Sequence, residues 1–173
     1  GSNKKAYFTN TSFLEYGQWS TSYANTYRHN DNLMIQAALR VSYTSPKVMH
    51  WITGLLLWLE ENDNTSKLNS YCEVAEQIAR NSIIDNFFTP CEDGEYRLGV
   101  GTPHIVFNYL DYLIWKSNRN FYKDFSFEFR NSVEHWYPRH PSESEIKIWD
   151  DGGVDRFGNL CIIQRNVNSK FSN

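Results

Sequence analysis

Phe125-Ser126-Phe127-Glu128-Phe129-Arg130, followed almost at once by Val133-Glu134-His135-Trp136-Tyr137-Pro138, is where the chain changes texture. The phenylalanines alternate with polar residues in period two, which predicts short extended pieces with one apolar face. Upstream of them the apolar residues recur at helical spacing instead. Ser45-Pro46 places a capping hydroxyl before a proline whose missing N–H is harmless in a first turn. Val48, Trp51, Ile52, Leu55, Leu56 and Leu59 follow, predicting a helix over 46–61 with the Trp51 to Trp58 stretch in the core. Thr102-Pro103 repeats the signal for a helix over 103–117, with Val106, Tyr109, Leu110 and Leu113 on one face. Two more helices are read over 31–43, with Leu33, Ala37 and Val41 on one stripe, and over 69–87, with Val74, Ile78 and Ile84. Downstream come a Pro- and Ser-rich loop from Pro138 to Glu145, an acidic turn at Asp150-Asp151-Gly152-Gly153 extending to Asp155, and an apolar strand, Leu160-Cys161-Ile162-Ile163. Asn166 to Ser172 is polar and reads as the start of a helix. The fold class is therefore α+β and mostly helical: an N-terminal bundle over 1–118 and a small β-containing unit over 119–173.

Composition narrows the classes of function. With 173 residues, 40% hydrophobic and 16% aromatic, the chain can bury a real core and is neither disordered nor fibrous. No apolar run reaches the roughly 18 to 20 residues of a membrane span, so a soluble protein is expected. Cys72, Cys91 and Cys161 lie far apart with no C-x-x-C pair, which gives no disulfide framework and points to a reducing, cytoplasmic setting. Gly1-Ser2 without an initiator Met reads as a scar of tag removal, and the chain as a fragment. The net charge of -3 supplies no basic footprint, and from Arg119 onward eight Lys/Arg face eight Asp/Glu. A nucleic-acid reading must then come from a motif and not from bulk charge.

Such a motif exists. Glu134-His135 is followed 24 residues later by Asn159, inside Gly158-Asn159-Leu160, and nine further on by Asn168, inside Asn168-Ser169-Lys170. An imidazole titrates near neutrality and can take a proton from water. A carboxylate beside it and an amide oxygen are hard ligands of the kind Mg²⁺ prefers, and a second amide can hold the ring in place. Neighbours along a strand point to opposite faces, so Glu134 and His135 serve one site only if the strand ends or bends there, as Pro138 suggests. His29, His50, His104 and His140 have no partner pattern and read as surface or core histidines.

Glu134-His135-x-x-Pro138, Gly158-Asn159-Leu160 and Asn168-Ser169-Lys170 together resemble the C-terminal nuclease domain of GmrSD-type restriction endonucleases, a branch of the HNH or His-Me finger nucleases. The motif region covers about residues 125 to 173. Trp136 stands where the family usually has a small aliphatic residue, Cys161-Ile162-Ile163 replaces a more usual Thr-Leu-Leu, and the closing helix is truncated. The resemblance implies a ββα-metal motif in which His135 is the general base and Asn159 fixes its imidazole. Glu134 and Asn168 would hold one Mg²⁺, with Mn²⁺ able to substitute. Arg139, Arg156, Arg165 and Lys170 flank the motif as contacts to DNA phosphates. It further implies a metal-dependent DNA endonuclease or nickase of bacterial antiviral defence, directed at foreign or modified DNA. The expected partner besides DNA is a ParB-like nucleotide-hydrolysing domain of the same or another chain, with an oligomer compatible with that arrangement. No G-x-x-x-x-G-K-[ST] loop occurs here to bind a nucleotide. The alternative from another class is a DNA-binding or protein-interaction module whose nuclease site has decayed.

Overall fold

Residues 9–13, 19–23, 31–62, 68–87, 98–140 and 153–165 are described in the structure, a computed structural model. A two-stranded antiparallel hairpin, β1 (Thr9–Phe13) and β2 (Trp19–Tyr23), comes first, an element of which the helical spacing further on gives no hint. Four helices follow: α1 (Asp31–Ser42), α2 (His50–Glu61), α3 (Leu68–Asn86) and α4 (His104–Ser117). The second hairpin, β3 (Ser132–His135) and β4 (Leu160–Ile163), is antiparallel, with Val133 opposite Ile162 and His135 opposite Leu160. The mostly helical α+β reading holds. The segment that would close a ββα unit, from Asn166 on, lies outside the described residues.

One boundary, one expected strand and several faces differ from expectation. The helix read over 46–61 begins only at His50, because Pro46–Val48 makes a tight 3₁₀ turn first and Ser45 Oγ accepts no capping bond. The Phe125 to Arg130 alternation builds no strand among the described residues. Phe125 and Phe127 pack on the helical core instead, and Arg130 is tied to Asn108 and Asp111 of α4 at 2.7 and 2.6 Å. The alternation is satisfied by helices and, among the described residues, has no strand beside it to pair with.

Nor is the Trp51 to Trp58 stretch core throughout. Leu55 is buried, whereas Leu56 is 59% exposed and Ile52, Leu57 and Leu59 are exposed too. In α1 the buried hydrophobic residues are Met34, Ile35, Ala38 and Leu39, one position round from the expected Leu33 stripe. In α3 the buried hydrophobic residues are Cys72, Ala75, Ala79 and Ile83, while Ile84 is exposed. In α4, Tyr112 and Trp115 are sealed and Leu110 and Leu113 are not. Alanines where helices approach closely, and a buried Glu76 that accepts hydrogen bonds from Tyr112 Oη and Lys116 Nζ at 2.5 Å each, set these faces. Large aliphatics do not. Burial of Glu76 works to raise its carboxyl, but Lys116 and Tyr112 outweigh it and hold the group below the usual carboxylate range.

The second hairpin does not make its own core. Val133 and Ile162 close on Phe107 of α4. Phe157, just before β4, packs edge-on against Phe87 at 5.5 Å and tilted against Phe107 at 5.2 Å. Residues 119–173 expressed alone should therefore stay unfolded, since a unit of this size whose buried aliphatics among the described residues are Val133, Val154 and Ile162 lacks the area for independent stability. Poor dispersion in an amide NMR spectrum is the expected result, and a folded spectrum would make the hairpin an autonomous domain.

Candidate active site

The site is built where β3 ends. Val133 faces the core, so strand alternation puts His135 on the same face and Ser132 and Glu134 on the other. Ser132 Oγ donates to Glu134 Oε1 at 2.5 Å, which holds that carboxylate on the Ser132 side. Among the described residues Glu134 is not a partner of the imidazole.

His135 is 13% exposed at its side chain, and its ring Nε2 lies 2.7 Å from Asp155 Oδ1. Asp155 is half-buried and also receives one guanidinium nitrogen of Arg139, at 2.7 Å on Oδ1 and 2.8 Å on Oδ2. The His135 hydrogen bond first, and the Arg139 guanidinium second, hold the Asp155 carboxyl below the usual carboxylate range. On its other side Asp155 lies against Gly99, whose φ is +54°. A Cβ on Gly99 would come within 2.6 Å of Asp155 Oδ1 and 2.9 Å of its Cγ. Asp155 was legible only as part of an acidic turn, because no chain spacing links it to His135, 20 residues away.

Asn159 is sealed, at 1% exposed, and its amide is spent on main chain. Oδ1 accepts from Tyr137 N at 2.8 Å, and Nδ2 donates to Tyr137 O at 3.0 Å and to Val154 O at 2.9 Å. Its own carbonyl accepts from Trp136 N at 2.7 Å. The expected hydrogen bond to the imidazole is thus corrected. Asn159 grips the two residues after His135 and the turn carrying Asp155, and so fixes the backbone on which both site residues stand.

The cations spread out. Arg139 is committed to Asp155 although 52% exposed. Arg156 is exposed beside Asp155. Arg165 follows Ile163, which pairs with Ser132 at the far end of the hairpin, about 10 Å along the ladder from His135. Asn168 and Lys170 lie outside the described residues. No three His, Cys, Asp or Glu side chains converge on a cation site among the described residues. Nor is any helix among them long and apolar enough to cross a membrane.

The model of the C-terminal domain of GmrSD restriction endonucleases matches residues 98–173. The resemblance carried by Glu134-His135-x-x-Pro138 is borne out over that stretch, which relates the C-terminal part of the chain to restriction-endonuclease nuclease modules. The match begins before the residue 119 boundary and takes in Gly99 and all of α4, the elements against which Asp155 and the hairpin rest. No curated protein and no solved structure gives a significant match.

Proposed function

We propose that the C-terminal part of the chain is the cutting module of a bacterial restriction-type endonuclease that hydrolyses phosphodiester bonds in foreign or modified DNA in the cytoplasm. One observation carries the reading. Within the stretch matching that family, an imidazole stands at a strand end with one ring nitrogen committed to a carboxylate, which leaves the other for proton transfer. His135 takes a proton from a water whose oxygen attacks phosphorus. The bond from phosphorus to the 3′ oxygen breaks, and that oxygen leaves with a proton from solvent, giving a 3′-hydroxyl and a 5′-phosphate.

Glu134, once turned from Ser132 around the end of β3, and Asn168 are the proposed holders of a Mg²⁺ ion in a finger of the His-Me type. Their hard oxygens suit an ion that keeps several waters and takes only one or two carboxylates besides substrate phosphates. When bound it would supply Lewis-acid stabilisation of charge on the phosphate. Exposed Arg156 and Arg165, with Lys170, are proposed to meet successive phosphates along the strand. Arg139 would reach one only by leaving Asp155. The helices 31–117 are proposed to present this unit to a ParB-like nucleotide-hydrolysing domain.

The test is plasmid nicking by the full chain. Activity should appear with Mg²⁺ or Mn²⁺ and vanish in excess EDTA, and Glu134→Ala should lose about 10²-fold or more, the scale of a residue that supports charge in the transition state. Full cleavage in EDTA would remove the metal from the reading. Complete absence of cleavage in the wild type with either ion, while the protein binds DNA, would favour the decayed-site alternative.

A further inference from the structure

We propose that Asp155, seated against Gly99 and held by Arg139, is the positioning residue that fixes His135 with its proton on Nε2 and its lone pair on Nδ1. The inference deepens the nuclease reading of His135 and depends on it for its catalytic meaning. The assignment of the proton, however, follows from Asp155 itself.

An ionised carboxylate accepts hydrogen bonds and donates none. Arg139, with one nitrogen on both oxygens, favours the ionised form, and Asp155 lies below the usual carboxylate range as a result of its two partners. The ring nitrogen 2.7 Å from Oδ1 must therefore be an N–H, so Nε2 is the donor. A neutral imidazole carries one N–H, which leaves Nδ1 as the acceptor. Among the described residues Nδ1 has no hydrogen-bond partner, so this nitrogen is the one open to a water. The carboxylate also stabilises the imidazolium that forms once the proton is taken, without itself accepting the proton.

Gly99 explains how the carboxylate reaches this place. It lies in the Gly99–Gly101 turn just ahead of α4, and its positive φ is accessible at little cost to a residue without Cβ. Every larger residue would put a carbon 2.6 Å from Oδ1, 2.9 Å from Cγ and 3.3 Å from the Asp155 Cβ, too much for a small rotation of the carboxylate to relieve. The helical part of the molecule thus shapes the seat of a residue that orients the base. Sequence alone offers Gly99 and Asp155 as two unrelated turn residues.

The experiment uses the full chain with Asp155→Asn, Asp155→Glu and Gly99→Ala. In the ¹H NMR spectrum of the free protein, wild type should show a downfield, slowly exchanging imidazole N–H signal, assigned by its loss in His135→Ala. That signal should disappear in Asp155→Asn and in Gly99→Ala. With DNA, Asp155→Asn should lower kcat by about 10² to 10⁴ with KM within about twofold, since an amide can donate as well as accept and so permits the wrong tautomer. Asp155→Glu should recover part of that loss, and Gly99→Ala should lower kcat although every ionisable group is still present. A signal that survives in Asp155→Asn, or a kcat within twofold of wild type in that variant, would overturn the proposal. If the wild type cuts no DNA, the nuclease reading fails, and the NMR signal alone then decides whether Asp155 sets the His135 tautomer. Should Asp155→Asn not fold, Gly99→Ala carries the same pair of readouts, with loss of signal and kcat supporting the proposal and retention of both overturning it.

Discussion

His135→Ala should remove DNA cleavage while the protein still unfolds in one cooperative transition. The expected loss is about 10² to 10⁴ in kcat, the contribution of a positioned general base. Stability should fall only modestly, for a reason visible in the site. Removing the ring deletes one hydrogen bond, yet Asp155 keeps both contacts to Arg139 and is not left as a buried charge without a partner. The hairpin keeps Val133, Ile162 and Phe107 together, and none of these touches the truncated side chain's function. Plasmid nicking paired with a circular dichroism melt checks the prediction. Residual activity within tenfold of wild type would take the imidazole out of the chemistry, and a lost melt would move His135 from chemistry to folding.

Helices declare themselves here more readily than the faces they bury. Proline after Ser or Thr, and runs of aliphatics at three- and four-residue spacing, place all four helices to within a few residues of their observed ends. Those aliphatics do not mark the core, because burial follows the closest packing available and not the largest side chains. Ala38, Ala75 and Ala79 are wholly buried, and Tyr112 and Lys116 reach Glu76, while Leu56 and Leu57 of α2 remain exposed. A hydropathy pattern cannot register an alanine as a site of close approach, nor a glutamate as a core residue. The strands follow the same logic. Leu160 to Ile163 forms its strand because Ser132 to His135 pairs with it, while the phenylalanine alternation just upstream finds helices to cover it and needs no ladder.

The site divides likewise. Glu134, His135 and Asn159 are singled out as candidates by their fixed order along the chain, which a motif preserves. Asp155 is not, since its link to His135 is a contact across a loop and its link to Gly99 a contact across the fold, neither with a characteristic spacing. The motif also misleads about role. An asparagine at that position reads as a hydrogen-bonding partner of the imidazole, whereas its depth, between Tyr137 and Val154, leaves its amide no reach to the ring.

Asn159→Ala should therefore cost stability before it costs chemistry. The substitution leaves Tyr137 N–H, Tyr137 C=O and Val154 C=O without their side-chain partner. A buried group so abandoned is worth about 1–3 kcal/mol, and since the two Tyr137 groups are only half-buried and open to rescue by water, about 3 kcal/mol in total is expected. For a chain of this size that corresponds to a fall of roughly 6–12 °C in Tm. Activity should drop along with it, because Tyr137 directly follows the Trp136 that follows His135, and Val154 directly precedes Asp155, so one amide ties together the two segments that carry the site. Asn159→Asp sharpens the test. Its carboxylate can still accept from Tyr137 N but would face two carbonyl oxygens where the amide donated, so this nearly isosteric change should destabilise at least as much as alanine. Thermal melts of both variants, measured beside nicking rates well below either Tm, decide the matter. A variant that melts like wild type yet cleaves slowly would return Asn159 to a direct role on the imidazole, whereas a lowered Tm with activity falling in step makes it the clamp that holds the His135 and Asp155 loops together.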